Sequence, residues 1–472
     1  MVQEAVMKTE SEQMNEEFRQ MLAEDKYVKV DYNSMKACEE DAVRGVAEAQ
    51  HVLGKAYHFG RGIVQNYEIA VQWYEKAAIQ GLAPAQNNFA LCYGNGFGVE
   101  QDDEKAMKWY ERAAKQGFSL SQRNLAIYYL EGKVVAKNHE KAFYWYKKAA
   151  EQGEQHAQYR LGILYEDGKV VEQDYEKAFY WYTESAFQGY AFSQYNLGDC
   201  YREGTGIEQD HEKAAYWYKE AADQGYATAQ YVLAIYYREG TGVEQDYEKA
   251  VYWYKEAAKQ GYATSQYSLA ICYRNGMGVE QDYEKSVYWL QEAADQGYDL
   301  SQCVLAICYK EGTGVEQDYE KAVYWYKKAA DQGYANAQCH LAWCYECAKG
   351  VEKDDEKAFY WYEKAAKQGD DFSQDKLASW YRISEGVEQN DEKSIYCYEQ
   401  GDDYVQYNMG HCYVNGIGVE QDHKKALYQL KEAAKQGNED VKKQLRKYIL
   451  HKVIGYSILI FVLLIIFIDL IT

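Results

Sequence analysis

The sequence predicts an all-α protein, an α/α superhelical solenoid of about 11 repeats with a 36-residue period, plus a C-terminal transmembrane helix. Three observations predict it: a glycine recurring on a fixed ruler, two amphipathic helical patterns inside each period, and one long apolar run near residue 460. Composition agrees. A single Pro among 472 residues, with 36 Gly spread evenly, excludes collagen-like and proline-rich disordered chains, while 51 Tyr supply material for a core. The formal net charge of −22 would repel a phosphate backbone, so no nucleic-acid partner is expected.

The ruler is the glycine that ends each A-A-x-Q-G segment. It falls at Gly45, Gly81, Gly117 and onward to Gly369 in nine successive steps of 36, then at Gly401 after 32 and Gly437 after 36. Trp follows the same ruler from Trp73 to Trp361. A period in this range is the mark of a repeat architecture, in which each unit buries its apolar stripe only by stacking on its neighbours.

One period, residues 225–260, shows why two helices form. Ala229, Val232, Leu233, Tyr236 and Tyr237 recur at three-and-four spacing, the signature of helix A. Ala250, Trp253, Tyr254, Ala257 and Ala258 do the same for helix B, with small residues where a neighbour must approach closely. Between them Gly240 and Gly242 permit the turn, and Asp246 stands at the N-cap position with Glu248 in the first turn. Unit by unit this gives about 22 helices in 11 pairs, preceded by a degraded helix B over residues 32–44 that caps the stack. The four residues missing before Gly401 predict a weakened joint over residues 390–405, and Val134 and Val170, in place of the second loop glycine, predict altered turns.

A-x-A-Q-x-x-L-A-x-x-Y, G-x-G-V-x-x-D and K-A-x-x-W-Y-x-x-A-A-x-x-G, recurring in register, resemble the Sel-one-like repeat (SLR) family, a relative of tetratricopeptide repeats. The resemblance covers about residues 32–448. It implies a non-catalytic scaffold or adaptor with protein or peptide partners, since the family includes an ER-associated degradation adaptor, chitin-synthase activators and secreted bacterial interaction proteins. It also implies that helix A lines the concave face. Some secreted members pair cysteines at the second Ala of the A-A-x-x-G segment; this chain has Ala258 and its equivalents there.

Residues 453–468 read VIGYSILIFVLLIIFI, thirteen of sixteen being Val, Ile, Leu or Phe. From Val453 through Leu463 to Ile468 a helix would span roughly 24 Å, or roughly 30 Å if continued to Thr472, the thickness of a hydrocarbon core. Insertion is favoured by roughly 6 kcal/mol on a translocon scale. Lys442, Lys443, Arg446, Lys447 and Lys452 flank it, which by the positive-inside rule keeps the repeats in the cytosol. The expected organisation is an acidic N-terminal segment (1–31), the solenoid (32–448) and a tail anchor (449–472). The short apolar core suits the ER membrane, with the mitochondrial outer membrane as the other candidate.

No cofactor, metal or small-molecule substrate is expected. The repeated G-x-G lacks the preceding strand and the Lys-Ser/Thr pair of a phosphate loop. Cys339, His340, Cys344 and Cys347 crowd into nine residues and would have to carry any metal-dependent enzyme reading. However, Cys92, Cys200, Cys272, Cys308, Cys344 and Cys412 share one core slot, which makes them small buried hydrophobes. His51, His139, His211 and His423 stand in slots filled elsewhere by Tyr, which is slot variation rather than a triad. The binding candidates are two tyrosine ladders: Tyr159, Tyr195, Tyr231 and Tyr267 on helix A, the preferred surface, and Tyr144, Tyr180, Tyr216, Tyr252 and their equivalents on helix B. An acidic loop ladder, including Glu208 and Glu244, offers a weaker case for a basic partner. The alternative function is an ER quality-control adaptor of the sel-one type, whose repeats face the lumen.

Overall fold

The computed structural model describes residues 35–383, together with scattered helical positions between 424 and 449. By contact the chain divides into two compact units, Met1–Gln245 and Asp246–Thr472. In the first unit, α1 (Met35–Arg44), α2 (Ala47–Phe59), α3 (Tyr67–Ile79), α4 (Ala83–Asn95), α5 (Asp103–Lys115) and α6 (Ser119–Glu131) follow one another. They continue as α7 (His139–Ala150), α8 (Gln155–Asp167), α9 (Tyr175–Ala186), α10 (Ala191–Glu203), α11 (His211–Asp223) and α12 (Ala227–Glu239). The second unit contains α13 (Tyr247–Lys259), α14 (Ala263–Asn275), α15 (Tyr283–Asp295), α16 (Asp299–Glu311), α17 (Tyr319–Asp331), α18 (Ala335–Glu346), α19 (Asp355–Ala366) and α20 (Asp371–Ile383). No strand occurs among the described residues. Within each unit every helix packs on the next in sequence, giving a stack of A–B hairpins.

The local chemistry of one repeat, α10 and α11, explains the boundaries. Gly204 takes the left-handed conformation (φ 73°) and donates its N–H to the Cys200 carbonyl, which ends α10. Two residues on, Gly206 lies so close to the chain at Tyr175, the start of the preceding B helix, that a Cβ would overlap the Tyr175 carbonyl. Only glycine fits there. Asp210 then accepts a hydrogen bond from the Lys213 N–H at 3.0 Å and starts α11 as its N-cap. Val134 and Val170 stand where Gly206 stands, and neither adopts positive φ. Ala348, by contrast, is held at φ 53° in a slot that is glycine in most repeats.

The core of most hairpins is one large ring sealed between small residues, with Leu290 in that place on α15. Tyr218 is fully buried against α10, with Ala221 and Ala222 one turn on, and its hydroxyl donates to Asp199 at 2.7 Å. Tyr74, Tyr146 and Tyr182 fill the same place elsewhere in the first unit, as do Tyr254, Tyr326 and Tyr362 in the second. The expected cap is also present, since α1 buries Cys38 and Ala42 against Ala49 and Leu53 of α2.

A second buried feature was not expected from periodicity. The Gln of each A-x-A-Q segment is buried, and its amide donates to the carbonyl of an Ala eight residues earlier, at the end of the preceding B helix. Gln194 to Ala186 is 3.3 Å and Gln86 to Ala78 is 3.1 Å. The same side chain accepts from the Gln that closes its own B helix: Gln224 to Gln194 is 2.6 Å and Gln116 to Gln86 is 2.7 Å. In the second unit Gln296, Gln332 and Gln368 repeat the bond to Gln266, Gln302 and Gln338. One amide thus joins three helices.

No helix among the described residues is long and apolar enough to cross a membrane. The run containing Val453, Leu463 and Ile468 lies outside the described residues, as do the irregularity at 390–405, Cys412 and His423.

Gln194→Leu removes both bonds and leaves the Ala186 carbonyl and the Gln224 amide without these partners. It should destabilise the fold by about 1–2 kcal/mol, the net worth of two hydrogen bonds at about 0.5–1.5 kcal/mol each, since the Ala186 carbonyl still accepts from the Gly189 N–H and Gln224 lies at the surface. Urea unfolding checks this, with Gln209→Leu, at an exposed Gln, staying within about 0.5 kcal/mol of the parent.

Candidate functional site

The helix-A ladder is brought onto one face in each unit, but it has a packing duty there. Tyr159 on α8 is buried, at 5% exposure, whereas Tyr195, Tyr231 and Tyr267 are half-buried. Each of three ladder rings is covered by the aromatic residue that precedes the next A helix: Tyr159 by Tyr190 and Tyr195 by Tyr226, both at 5.4 Å, and Tyr267 by Tyr298 at 5.6 Å. These edge-on pairs tie adjacent A helices together. The helix-B ladder is the more open one. Tyr144, Tyr180 and Tyr216 in the first unit, and Tyr252, Tyr288, Tyr324 and Tyr360 in the second, are each about half exposed with the ring edge on the neighbouring Trp.

The sequence reading missed what happens when the helix-A ladder is followed towards its N-terminal end. The slot of Tyr159 becomes Arg123, then Asn87, then His51, and all three are buried. Arg123 lies under Glu154, the residue that replaces the covering aromatic, with Nη1 to Oε1 at 3.3 Å and both side chains nearly inaccessible. Charge for charge, the pair takes the place of ring on ring. The other Glu154 oxygen accepts from the Ala157 N–H at 2.6 Å, capping α8, where Tyr190 and Tyr226 give α10 and α12 no side-chain cap. Arg123 also donates to Asn124 Oδ1 at 3.1 Å, Asn124 and Ser121 donate to Asn87 Oδ1, and Asn88 reaches His51 at 2.9 Å. A polar chain therefore runs across α2, α4, α6 and the start of α8.

This chain borders a pocket of about 150 Å³ lined by Leu91, Tyr110, Arg123, Asn124, Tyr128 and His156, with Lys133 at its edge. Tyr128 donates to Asp103 at 2.7 Å. His156 is 3% exposed, and neither ring nitrogen has a hydrogen-bond partner. Burial pushes its pKa well below the usual imidazole range, and the Arg160 and Arg123 charges push the same way. Burial raises the Glu154 carboxyl, against the pull of Arg123 and the Ala157 N–H.

The cysteines behave as small hydrophobes. Cys92, Cys200, Cys272, Cys308 and Cys344 are buried and form no disulfide, and burial raises the Cys92, Cys200 and Cys344 thiols to about 12. Cys339 is buried in the helix-A ladder slot and Cys347 is exposed. Among the described residues no three His, Cys, Asp or Glu side chains converge as metal ligands.

The Sel1 repeat model matches eleven segments, nine of them successive 36-residue windows from 47–82 to 335–370, then 372–401 and 404–438. The chain belongs to the Sel1 repeat family. Its solved relatives include a protective antigen of uropathogenic Escherichia coli with an SLR fold, 31% identical, covering 89% of this chain and 91% of that one at a TM-score of 0.79. A Sel1 repeat protein from Oxalobacter formigenes is 30% identical over 75% of this chain and 97% of its own, at a TM-score of 0.52. Among curated proteins none matches. Sel1 repeat folds are typically interaction scaffolds, and fold alone assigns no chemistry. This Sel1 protein departs from its own repeat pattern at Arg123, Glu154 and His156, and that departure marks the candidate site.

The buried histidines set a pH window. His156 and His58 stay neutral in the fold, His58 with its pKa lowered by burial to about 4, whereas an unfolded chain protonates both near 6.5. Stability is therefore full above pH 6.5 and falls as pH drops towards 4, by about 1–2 kcal/mol per histidine at pH 5. Urea midpoints at pH 7.5 and 5.0 check this; in the double variant His58→Phe with His156→Phe most of the difference should vanish.

Proposed function

We propose that this Sel1 repeat protein is a membrane-anchored, non-catalytic scaffold whose cytosol-facing repeats (32–448) hold protein or peptide partners. The observation that carries the partner reading is the A-helix face of each unit, where Tyr195 and Tyr231 in the first and Tyr267 in the second are half-buried, with covering rings on Tyr195 and Tyr267. Rigid amphipathic rings give large contact area at low entropic cost. Anchoring rests on the apolar run from Val453 through Leu463 to Ile468 and its basic flank, with 449–472 as the tail and 1–31 as an acidic extension. The ER membrane is the proposed destination, and buried thiols outside any disulfide suit its reducing, cytosolic side.

Proximity labelling from the full chain and from a form lacking residues 453–472 tests the anchor. Loss of ER-surface labelling in the shorter form supports it, and unchanged labelling removes it. Replacing Tyr195, Tyr231 and Tyr267 together by Ala should lower capture of the labelled partners at least tenfold in pull-downs, while undiminished capture would eliminate this face. Protease protection of the repeats in intact microsomes would instead favour the lumenal, quality-control topology.

A further inference from the structure

The pocket beside Arg123 lies next to a ladder slot that has no closing ring. Tyr159, Tyr195 and Tyr267 are each closed by a ring on a ring; at Arg123 the closing ring is absent and its place is taken by a carboxylate already committed to Arg123 and to the start of α8. What remains open is a space with an apolar wall, Leu91 and Ile127, and a polar wall, Arg123, Asn124 and His156. His156 brings two unpartnered nitrogens, at 3% exposure, to that wall. Buried polar groups are normally satisfied, and one that is not points to a missing partner.

We propose that this pocket seats the carboxylate of an acidic side chain presented by a protein partner. Size sets the first limit, since engineered cavities of about 150 Å³ take a benzene-sized group, whereas ligand clefts for larger molecules start near 300 Å³. A glutamate side chain fits and a nucleotide does not. Charge sets the second limit: Arg123 and Arg160 are the charges that bear most on His156, Lys133 stands at the pocket edge, and Glu154 faces Arg123 from above with its second oxygen held by the α8 backbone. Asp103 is occupied by Tyr128, and Glu131 by Lys133 at 3.0 Å. An incoming carboxylate would accept from an N–H of His156. The overall charge of −22 does not forbid this, because charges more than about 10 Å away are screened at ordinary salt. The inference rests on the scaffold reading and narrows its partner to one with an exposed acidic anchor.

Calorimetric titration of the full chain in mild detergent tests it, with N-acetylglutamate amide as the probe and N-acetylglutamine amide as the neutral match. The expected result is saturable millimolar binding of the glutamate derivative, at least tenfold weaker binding of the glutamine one, and at least tenfold loss in His156→Phe. Phe192 and Phe372 already occupy that helix position in other repeats. The double variant Arg123→Tyr with Glu154→Tyr restores the ring pair found at Tyr195 and Tyr226; it should melt with the parent and lose the probe. Absence of saturable binding by the parent, equal binding of the glutamine derivative, tighter binding of inorganic phosphate, or full binding by the double variant overturns the proposal. Failure of the probe with partner capture intact sinks the acidic anchor alone, whereas loss of all partner capture sinks the scaffold reading instead.

Discussion

The buried glutamine amide is the interaction on which each hairpin depends. A helix ends with carbonyls that have no partner inside it, and in a close-packed stack water cannot reach all of them. Gln194 supplies a donor to Ala186 and takes one from Gln224, so one side chain satisfies the end of one B helix and docks the end of the next. Because one bond is buried and the other is short, the two together help to set the relative height of three helices at each repeat. The tyrosine core then has only to fill space. That division explains why the A-helix face tolerates Tyr, Arg, Asn, His and Cys in a single slot: alignment is secured elsewhere.

Helices, turns and caps were legible because each rests on a local rule. Asp210 caps whatever helix follows it, and Gly204 ends whatever precedes it, so spacing alone locates both. The amide ladder was visible as a recurring Q and yet not interpretable, since its partners lie 8 and 30 residues away and meet only after the chain has turned twice. The tyrosine ladder was legible as a recurring slot of helix A, but its exposure was not. Tyr159 is closed off by Tyr190, a residue that the pattern assigns to the following unit.

The candidate pocket was missed for a related reason. His156, Arg123 and Glu154 occupy three different repeat slots, and each taken singly is ordinary drift from a consensus. Their meaning emerges when the covering residue and the covered residue are seen to change together, ring on ring becoming acid on base. In a repeat protein the consensus describes the framework, so individuality concentrates where paired slots leave it. The wall of that pocket is built by α4, α5, α6 and α8, elements whose own backbone geometry is no different from that of their neighbours.

The second loop glycine has a consequence for how such a chain comes into being. Gly206 nests against the backbone at Tyr175, 31 residues behind it, and the amide ladder reaches back by 8 and 30. Every one of these locks closes on a segment that has already left the ribosome, so a nascent chain can zip up one hairpin at a time, waiting on nothing still to be translated. Such short reach is the topology that folds fast and exposes little apolar surface on the way. It also constrains length: an insertion between Tyr175 and Gly206 would carry Gly206 away from the backbone it nests against.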